Sequence, residues 1–350
     1  MHKFTYEFLK EKTITADLFS LSNIITDLKN KTEAMKTLNS TLFKKLEIVA
    51  IKESVEGSNA IEGIYTTEQR IKEIINDNSQ PLNHNEEEIA GYHDAVKLIK
   101  DNYKVLSFNE ETIKRIHALI VSRHVGYKKA GQYKTSDNII TEKNIDGSIK
   151  RVIFTPTKAS EVETQMHELC LAYQVYKDDY RIPQLLLIPC VILDFLSIHP
   201  FSDGNGRVSR LLTILLLYKE GYDIAKYISF ENQINQYKNN YYYVLERCQY
   251  RWHESNNTYY PFIEFTFQIL YQCYKRINKR FIVTKSGKNK KNERIESIIL
   301  DSIVPISKTE IKDLLPDISI TTIEATLAKL IKEEKIYKIG TYKNAKYLKK

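Results

Sequence analysis

Two apolar runs dominate the pattern along the chain, residues 185–198 and residues 211–218. Each is long enough for a buried helix, and a short polar segment joins them. Around this pair the apolar spacing predicts further helices. One covers 32–53, with Leu38, Leu42, Leu46 and Val49 on a face and Thr32 as its cap. Residues 1–30 read only as one or two short helices. Ser58 can cap a short helix that holds Glu62 and ends at Gly63. Helices follow over 67–76 and 85–103, divided by a loop with Pro81. Another spans 110–121, capped by Ser107-Phe108-Asn109, with Ile113, Ile116, His117 and Ile120 on one face. His117 reads as a buried, satisfied histidine.

Two short β-branched runs, 138–140 and 151–154, flank Asp146-Gly147 and predict a hairpin. Helices over 161–176, 183–197, 207–218, 239–245 and 261–280 complete this part. A polar stretch, Lys-Ser-Gly-Lys-Asn-Lys-Lys-Asn, covers 285–292 and reads as a linker. Beyond it come helices near 294–302, 307–315 and 320–334, with a turn at Pro316. The runs 336–339 and 346–348 then flank Gly340 to Asn344. Three helices and a hairpin resemble a winged helix, a DNA-reading fold in many proteins.

Composition changes this picture little. The 350 residues suffice for two or three domains, and a formal charge of +8 does not by itself imply a nucleic-acid partner. Residues 283–350 hold 15 Lys/Arg against 9 Asp/Glu, net +6, so most of the excess is C-terminal. The predicted recognition helix offers Thr321, Thr322, Glu324, Thr326, Lys329 and Lys332 but no arginine. Direct base readout usually uses Arg, Asn or Gln. DNA binding through 293–350 therefore stands beside protein docking or dimer packing. The four cysteines form no CxxC pair and read as buried thiols of a reducing compartment. The first twelve residues show no signal-peptide core, and the apolar runs are interrupted by Pro189 and Asp194. The expectation is a cytoplasmic protein without a membrane partner.

The reactive side chains concentrate in the loop 199–210. His199 is the group there that can take a proton near neutral pH. Pro200 disfavours helix at His199 and should end the first apolar helix. Asp203 is a hard oxygen ligand suited to Mg²⁺. Gly204 and Gly206 open the backbone to a ligand, and the N-terminus of the next helix is an anion site. Arg207 and Arg210 lie three apart and can clamp phosphate oxygens. A lone histidine or a lone Asp-Gly-Asn-Gly would more often be a packing residue or a turn. Together they suggest nucleotide phosphate chemistry.

His-Pro-Phe-Ser-Asp-Gly-Asn-Gly-Arg, residues 199–207, resembles the Fic family signature His-Pro-Phe-x-Asp-Gly-Asn-Gly-Arg at every specified position. The resemblance covers roughly residues 50–275, and Arg210 matches a second family arginine. It implies a mostly α fold: a Fic helical core with a short β-hairpin flap, followed by a small winged-helix-like α+β domain. On this reading 1–105 is an N-terminal helical region, 106–281 the catalytic core, 282–292 the linker and 293–350 the last domain. The family mostly transfers AMP from ATP to a hydroxyl side chain of a target protein.

Carried onto this chain, the resemblance gives ATP and Mg²⁺ as substrate and metal. Asp203 would hold the metal, and Gly204, Asn205, Gly206, Arg207 and Arg210 the phosphates. Asn205 would orient either the α-phosphate region or the loop, and Tyr242 would border the adenine pocket. His199 would take the proton of the target hydroxyl. Ser58 to Gly63 fits the family's inhibitory pattern Ser/Thr-x-x-x-Glu-Gly/Asn, so Glu62 would pair with Arg210 in place of the γ-phosphate. The hairpin, with Val152, Ile153 and Phe154, would receive the target as an added strand. Relatives that act as kinases carry a Lys near Gly206, and this chain does not. Removal of AMP by the same site, or DNA binding with nucleotide sensing, remain alternatives, and a homodimer is the family's usual state.

Overall fold

A computed structural model describes all residues except 1, 12–13, 77–78, 122–128, 145, 147, 286–290, 301–304, 316 and 342–344. The centre of the expected linker, the turn residues Gly147 and Pro316, and residues 342–344 of the last turn therefore lie outside the described residues. The chain is mostly α. Its elements are α1 (Phe8–Glu11), α2 (Ala16–Leu38), α3 (Ser40–Ile61), α4 (Glu68–Asn76), α5 (His84–Asn102) and α6 (Glu110–Val121). A hairpin follows, β1 (Ile140–Lys143) and β2 (Ile149–Phe154). Then come α7 (Val162–Tyr176), α8 (Gln184–Ile198), α9 (Asn205–Lys219), α10 (Phe230–Gln236), α11 (Lys238–Gln249) and α12 (Tyr260–Lys285). The last are α13 (Lys291–Leu300), β3 (Ile306–Ser307), α14 (Lys308–Leu314), α15 (Ile320–Lys332), β4 (Ile336–Ile339) and β5 (Lys346–Lys349).

The contacts divide the chain into two units, one of residues 1–22, 51–225 and 229–270, the other of 23–50, 226–228 and 271–350. In the first unit α8 is the central rod, and every residue from Leu185 to Ile198 is buried. It packs against α7 and α9, while α5 and α6 cover α9. The one charged residue of α8, Asp194, is fully buried. Its carboxylate accepts hydrogen bonds from Tyr6 Oη at 2.7 Å, Trp252 Nε1 at 2.7 Å and Tyr259 Oη at 2.8 Å. A buried carboxylate persists only with such partners. The hairpin is antiparallel, pairing Ile140 with Phe154 and Thr141 with Val152 across irregular steps.

The second unit has its own core, built from Ile295, Ile299, Ile311, Ile323, Leu327 and Tyr347 among others. Its sheet runs β3-β5-β4, all antiparallel. Ser307 and Glu310 close α14 with a reciprocal capping box, readable from the Ser-x-x-Glu spacing. Earlier segments join the same unit: Asn278 Nδ2 donates to Thr32 Oγ1 at 2.8 Å, and Phe43 packs edge-on against Tyr227.

Two helix starts differ from the sequence pattern. Thr32 is no cap but lies inside α2, where its hydroxyl donates to the Leu28 carbonyl at 2.8 Å. The break comes instead at Asn39, whose backbone and side-chain amides both donate to the Met35 carbonyl. Ser58 likewise caps nothing. It lies in the last turn of α3, because the apolar stripe of that helix continues through Val55 to Ile61. All four cysteines are buried, and none is in a disulfide. Among the described residues no helix is long and apolar enough to cross a membrane.

Candidate active site

The turn between α8 and α9 is built around a histidine with an uncommon backbone. His199 ends α8 as its C-cap, in the left-handed conformation with φ 52°, and Pro200 prevents a further helical turn. Non-glycine residues rarely adopt this conformation, and where they do the surroundings must hold it. The His199 N–H donates to the Phe195 carbonyl at 3.0 Å. His199 Nδ1 lies 3.3 Å from the Leu196 carbonyl. A carbonyl only accepts, so Nδ1 carries the proton and Nε2 is the basic nitrogen. Burial, reinforced by the nearby Lys134 charge and opposed by the Leu196 carbonyl, Glu62 and Asp203, lowers its pKa to about 4. The ring is neutral near pH 7, the form a proton acceptor requires.

The rest of the turn is fixed from within. Asn205 spans it with two bonds to Phe201, accepting from its N–H at 2.9 Å and donating to its carbonyl at 2.8 Å. Of the two roles open to Asn205, this geometry performs the one of shaping the loop. Phe201 stacks on His117, centroids 3.7 Å apart. His117 Nδ1 accepts from the Gly131 N–H at 3.0 Å, and the histidine is fully buried, as its apolar helix face implied. Gly204 is left-handed, φ 79°, and precedes α9 without any side-chain cap. The first N–H groups of α9 are therefore left to a ligand.

The two arginines of α9 are both buried but face different partners. Arg207 Nη2 lies 3.0 Å from Asp203 Oδ2, and its Nη1 lies 3.2 Å from Glu88 Oε2 on α5. Arg210 turns to the end of α3: Nε donates to Ser58 Oγ at 2.9 Å, and Nη2 to the Ser58 carbonyl at 3.0 Å and to Glu62 Oε1 at 2.8 Å. Its Nη1 is buried without a hydrogen-bond partner. A Cβ on Gly206 would lie 2.5 Å from Glu62 Oε1 and 3.2 Å from Arg210 Nη1. The Glu62 carboxylate thus fills the space over the first turn of α9, where an anion is favoured.

Tyr242 is exposed over part of its ring and donates from its hydroxyl to the Ile61 carbonyl at 3.3 Å. With Lys238 Nζ, 3.4 Å from the Ala60 carbonyl, which also accepts from the Gly63 N–H, it meets the last carbonyls of α3. In the hairpin, Val152 is exposed, Ile153 half-buried and Phe154 buried, stacked on His253. A groove of 1120 Å³ runs beside β2, between residues 151–155 and 243–254. Arg151 on β2 pairs with Glu142 on β1 and ties the hairpin to α11 through Glu246.

A family model described as Fic/DOC family matches residues 107–217, which hold the hairpin, His199 and both arginines. The chain contains a Fic domain. Proteins with this domain generally transfer a nucleoside monophosphate to proteins, a transferase activity. A Fido domain-containing protein of Dictyostelium discoideum is 31% identical over 97 residues, 28% of this chain and 65% of that relative. Two solved structures share the fold. One is a Fic family protein from Desulfovibrio desulfuricans, with TM-score 0.60 and 19% identity, covering 97% of each chain. The other is a Fic domain containing signaling protein from Bacteroides thetaiotaomicron, with TM-score 0.61 and 22% identity, covering 73% of this chain and 96% of that one.

The structure brings His199, Asp203, Gly204, Gly206, Arg207, Arg210, Ser58 and Glu62 of this Fic domain and its preceding helix together. Tyr242 meets the end of α3. Three participants carried no sequence signal. Glu88 is the last of three consecutive glutamates, 86–88, in the first turns of α5, and it and Glu86 are buried. Lys134 follows Gly-Gln-Tyr with nothing to mark it as buried. Glu231 is fully buried and accepts from Ser54 Oγ at 2.5 Å and Tyr92 Oη at 2.9 Å.

Proposed function

We propose that this chain is a protein adenylyltransferase, transferring AMP from Mg-ATP to a Ser, Thr or Tyr hydroxyl of a target protein, and that Glu62 restrains it. The observation that carries the reading is the Glu62 carboxylate over Gly206, paired with the buried Arg210. The site already binds an anion of its own where a nucleotide would place phosphate. The donor set fits that substrate: uncapped N–H groups at the start of α9, a buried Arg210 nitrogen without a partner, and Asp203, whose carboxylate is 62% exposed. Asp203 would hold Mg²⁺, which supplies neutralisation of phosphate charge.

The steps then follow from the residues. Glu62 leaves Arg210, and phosphate oxygens take its place on Arg210 and the N–H groups of α9. The target hydroxyl gives its proton to His199 Nε2 as its oxygen bonds to the α-phosphorus. The bond from that phosphorus to the bridging oxygen breaks, and pyrophosphate leaves. Positioning and charge neutralisation do most of the work, as in other phosphoryl transfers. The groove beside β2 is where the target would add its strand. Residues 293–350 are read as a winged-helix-like accessory module. The test is label transfer by the Glu62→Gly protein from ATP labelled at either the α or the γ position. Transfer of the α label alone supports the reading; transfer of the γ label would make the protein a kinase instead.

A further inference from the structure

We propose that Lys134 is a positioning residue of the transfer reaction: it brackets His199 from both sides and so holds the base in its left-handed backbone conformation. The inference rests on the reading of His199 as the proton acceptor. Lys134 lies between α6 and the hairpin and is 3% exposed. Its backbone N–H donates to the Pro200 carbonyl at 2.8 Å. Its ammonium donates to Asn138 Oδ1 at 2.7 Å and lies 3.5 Å from the Ile198 carbonyl. Ile198 and Pro200 are the neighbours of His199 on either side. One residue therefore holds the carbonyl that enters the strained position and the carbonyl one residue beyond it.

The choice of a lysine here needs a reason. Burying an ammonium is costly unless partners repay it, and a neutral side chain of the same length would fill the space. Burial indeed draws the Lys134 pKa down to about 8, only partly opposed by Asp137. The charge nonetheless acts on the imidazole, disfavouring its protonation. The charged groups around His199 are Lys134, Glu62 from the end of α3, and Asp203 from its own turn. Lys134 is the cation among them and favours the neutral ring. Asn138, its other partner, lies two residues before β1, so the segment that sets the base also leads into the hairpin.

The test uses the full chain in the Glu62→Gly background. Lys134→Met keeps the backbone bond and the length but removes the ammonium. Its kcat should fall roughly tenfold or more with KM for ATP within about twofold, and Lys134→Arg should restore most of the loss. The acid limb of the pH profile should move to higher pH in Lys134→Met and not in Lys134→Arg. Unchanged kcat and pH limb in Lys134→Met would overturn the proposal, as would equal defects in both variants. NMR titration of the His199 ring gives a readout independent of transfer. Its midpoint should rise in Lys134→Met alone, and a fixed midpoint would overturn the bracket. If the Glu62→Gly parent transfers nothing, the adenylyltransferase reading fails, and the titration still decides the bracket.

Discussion

Glu62 Oε1 lies 2.8 Å from Arg210 Nη2 and, on the other side, within 2.5 Å of the position a Cβ on Gly206 would take. One carboxylate thus engages the arginine and covers the helix N-terminus at once. On the proposed function, a phosphate that binds there must first displace it. ATP should therefore bind Glu62→Gly more tightly than wild type, by about tenfold for a contact of about 1.4 kcal/mol. Isothermal calorimetry with Mg-ATP measures this, and equal affinities would show that the carboxylate is no competitor.

The helix that leads into Glu62 is held by a close approach. A Cβ on Gly57 would lie 2.7 Å from the Asn232 backbone nitrogen, and the neighbouring Ser54 donates to the buried Glu231. Gly57→Ala should push the end of α3 outward. We expect a stability loss of about 1–3 kcal/mol, the range for overpacking. Basal label transfer should rise above wild type but stay below Glu62→Gly. Denaturant unfolding and the transfer assay measure the two effects separately.

Glu88 supports Arg207 from α5, and Arg207 is 1% exposed. Removing Glu88 leaves the buried Arg207 with the exposed Asp203 as its remaining carboxylate partner, so the cost should stay below the ~3 kcal/mol of a fully broken buried pair. Glu88→Ala should lower thermal stability accordingly. Part of the loss should return on adding Mg-ATP, because phosphate then meets the freed guanidinium. A loss that nucleotide does not reduce would show that Arg207 has no phosphate role.

Burial lowers His117 and His199 to about 4, below the ordinary 6.5. The unfolded chain therefore binds protons first as the pH falls, and folding stability is lost progressively from about pH 6.5 to pH 4. His117→Phe removes one such group and keeps an aromatic ring on Phe201. Its stability should fall less steeply than that of wild type between pH 7 and pH 4, as measured by denaturant midpoints. Identical slopes would show that His117 does not titrate on unfolding.

Much of this was legible in the sequence because the decisive signals are local. Two apolar runs around a polar turn place α8 and α9, and Pro200 with Gly204 marks their ends. The hairpin and the elements of residues 293–350 follow from β-branched runs and caps. The start and the end of α3 were misread because Thr32 and Ser58 are good cap residues, whereas here the Thr32 hydroxyl donates to the Leu28 carbonyl and the Ser58 hydroxyl accepts from Arg210. The burial of Glu88, Lys134 and Glu231 was not legible. Each is a polar residue on a polar-looking stretch, and each is buried by elements distant in sequence. Tertiary pairing, not local pattern, decides such positions.

In the proposed mechanism His199 takes the proton of the target hydroxyl during AMP transfer, and Glu62 restrains the site. The most direct measurement incubates wild type, Glu62→Gly and Glu62→Gly/His199→Ala with Mg-ATP labelled at the α-phosphate, then separates the proteins on a denaturing gel. This mechanism gives weak self-labelling in wild type, strong labelling in Glu62→Gly and none in the double variant. Equal labelling of wild type and Glu62→Gly, or labelling that survives loss of His199, would contradict it.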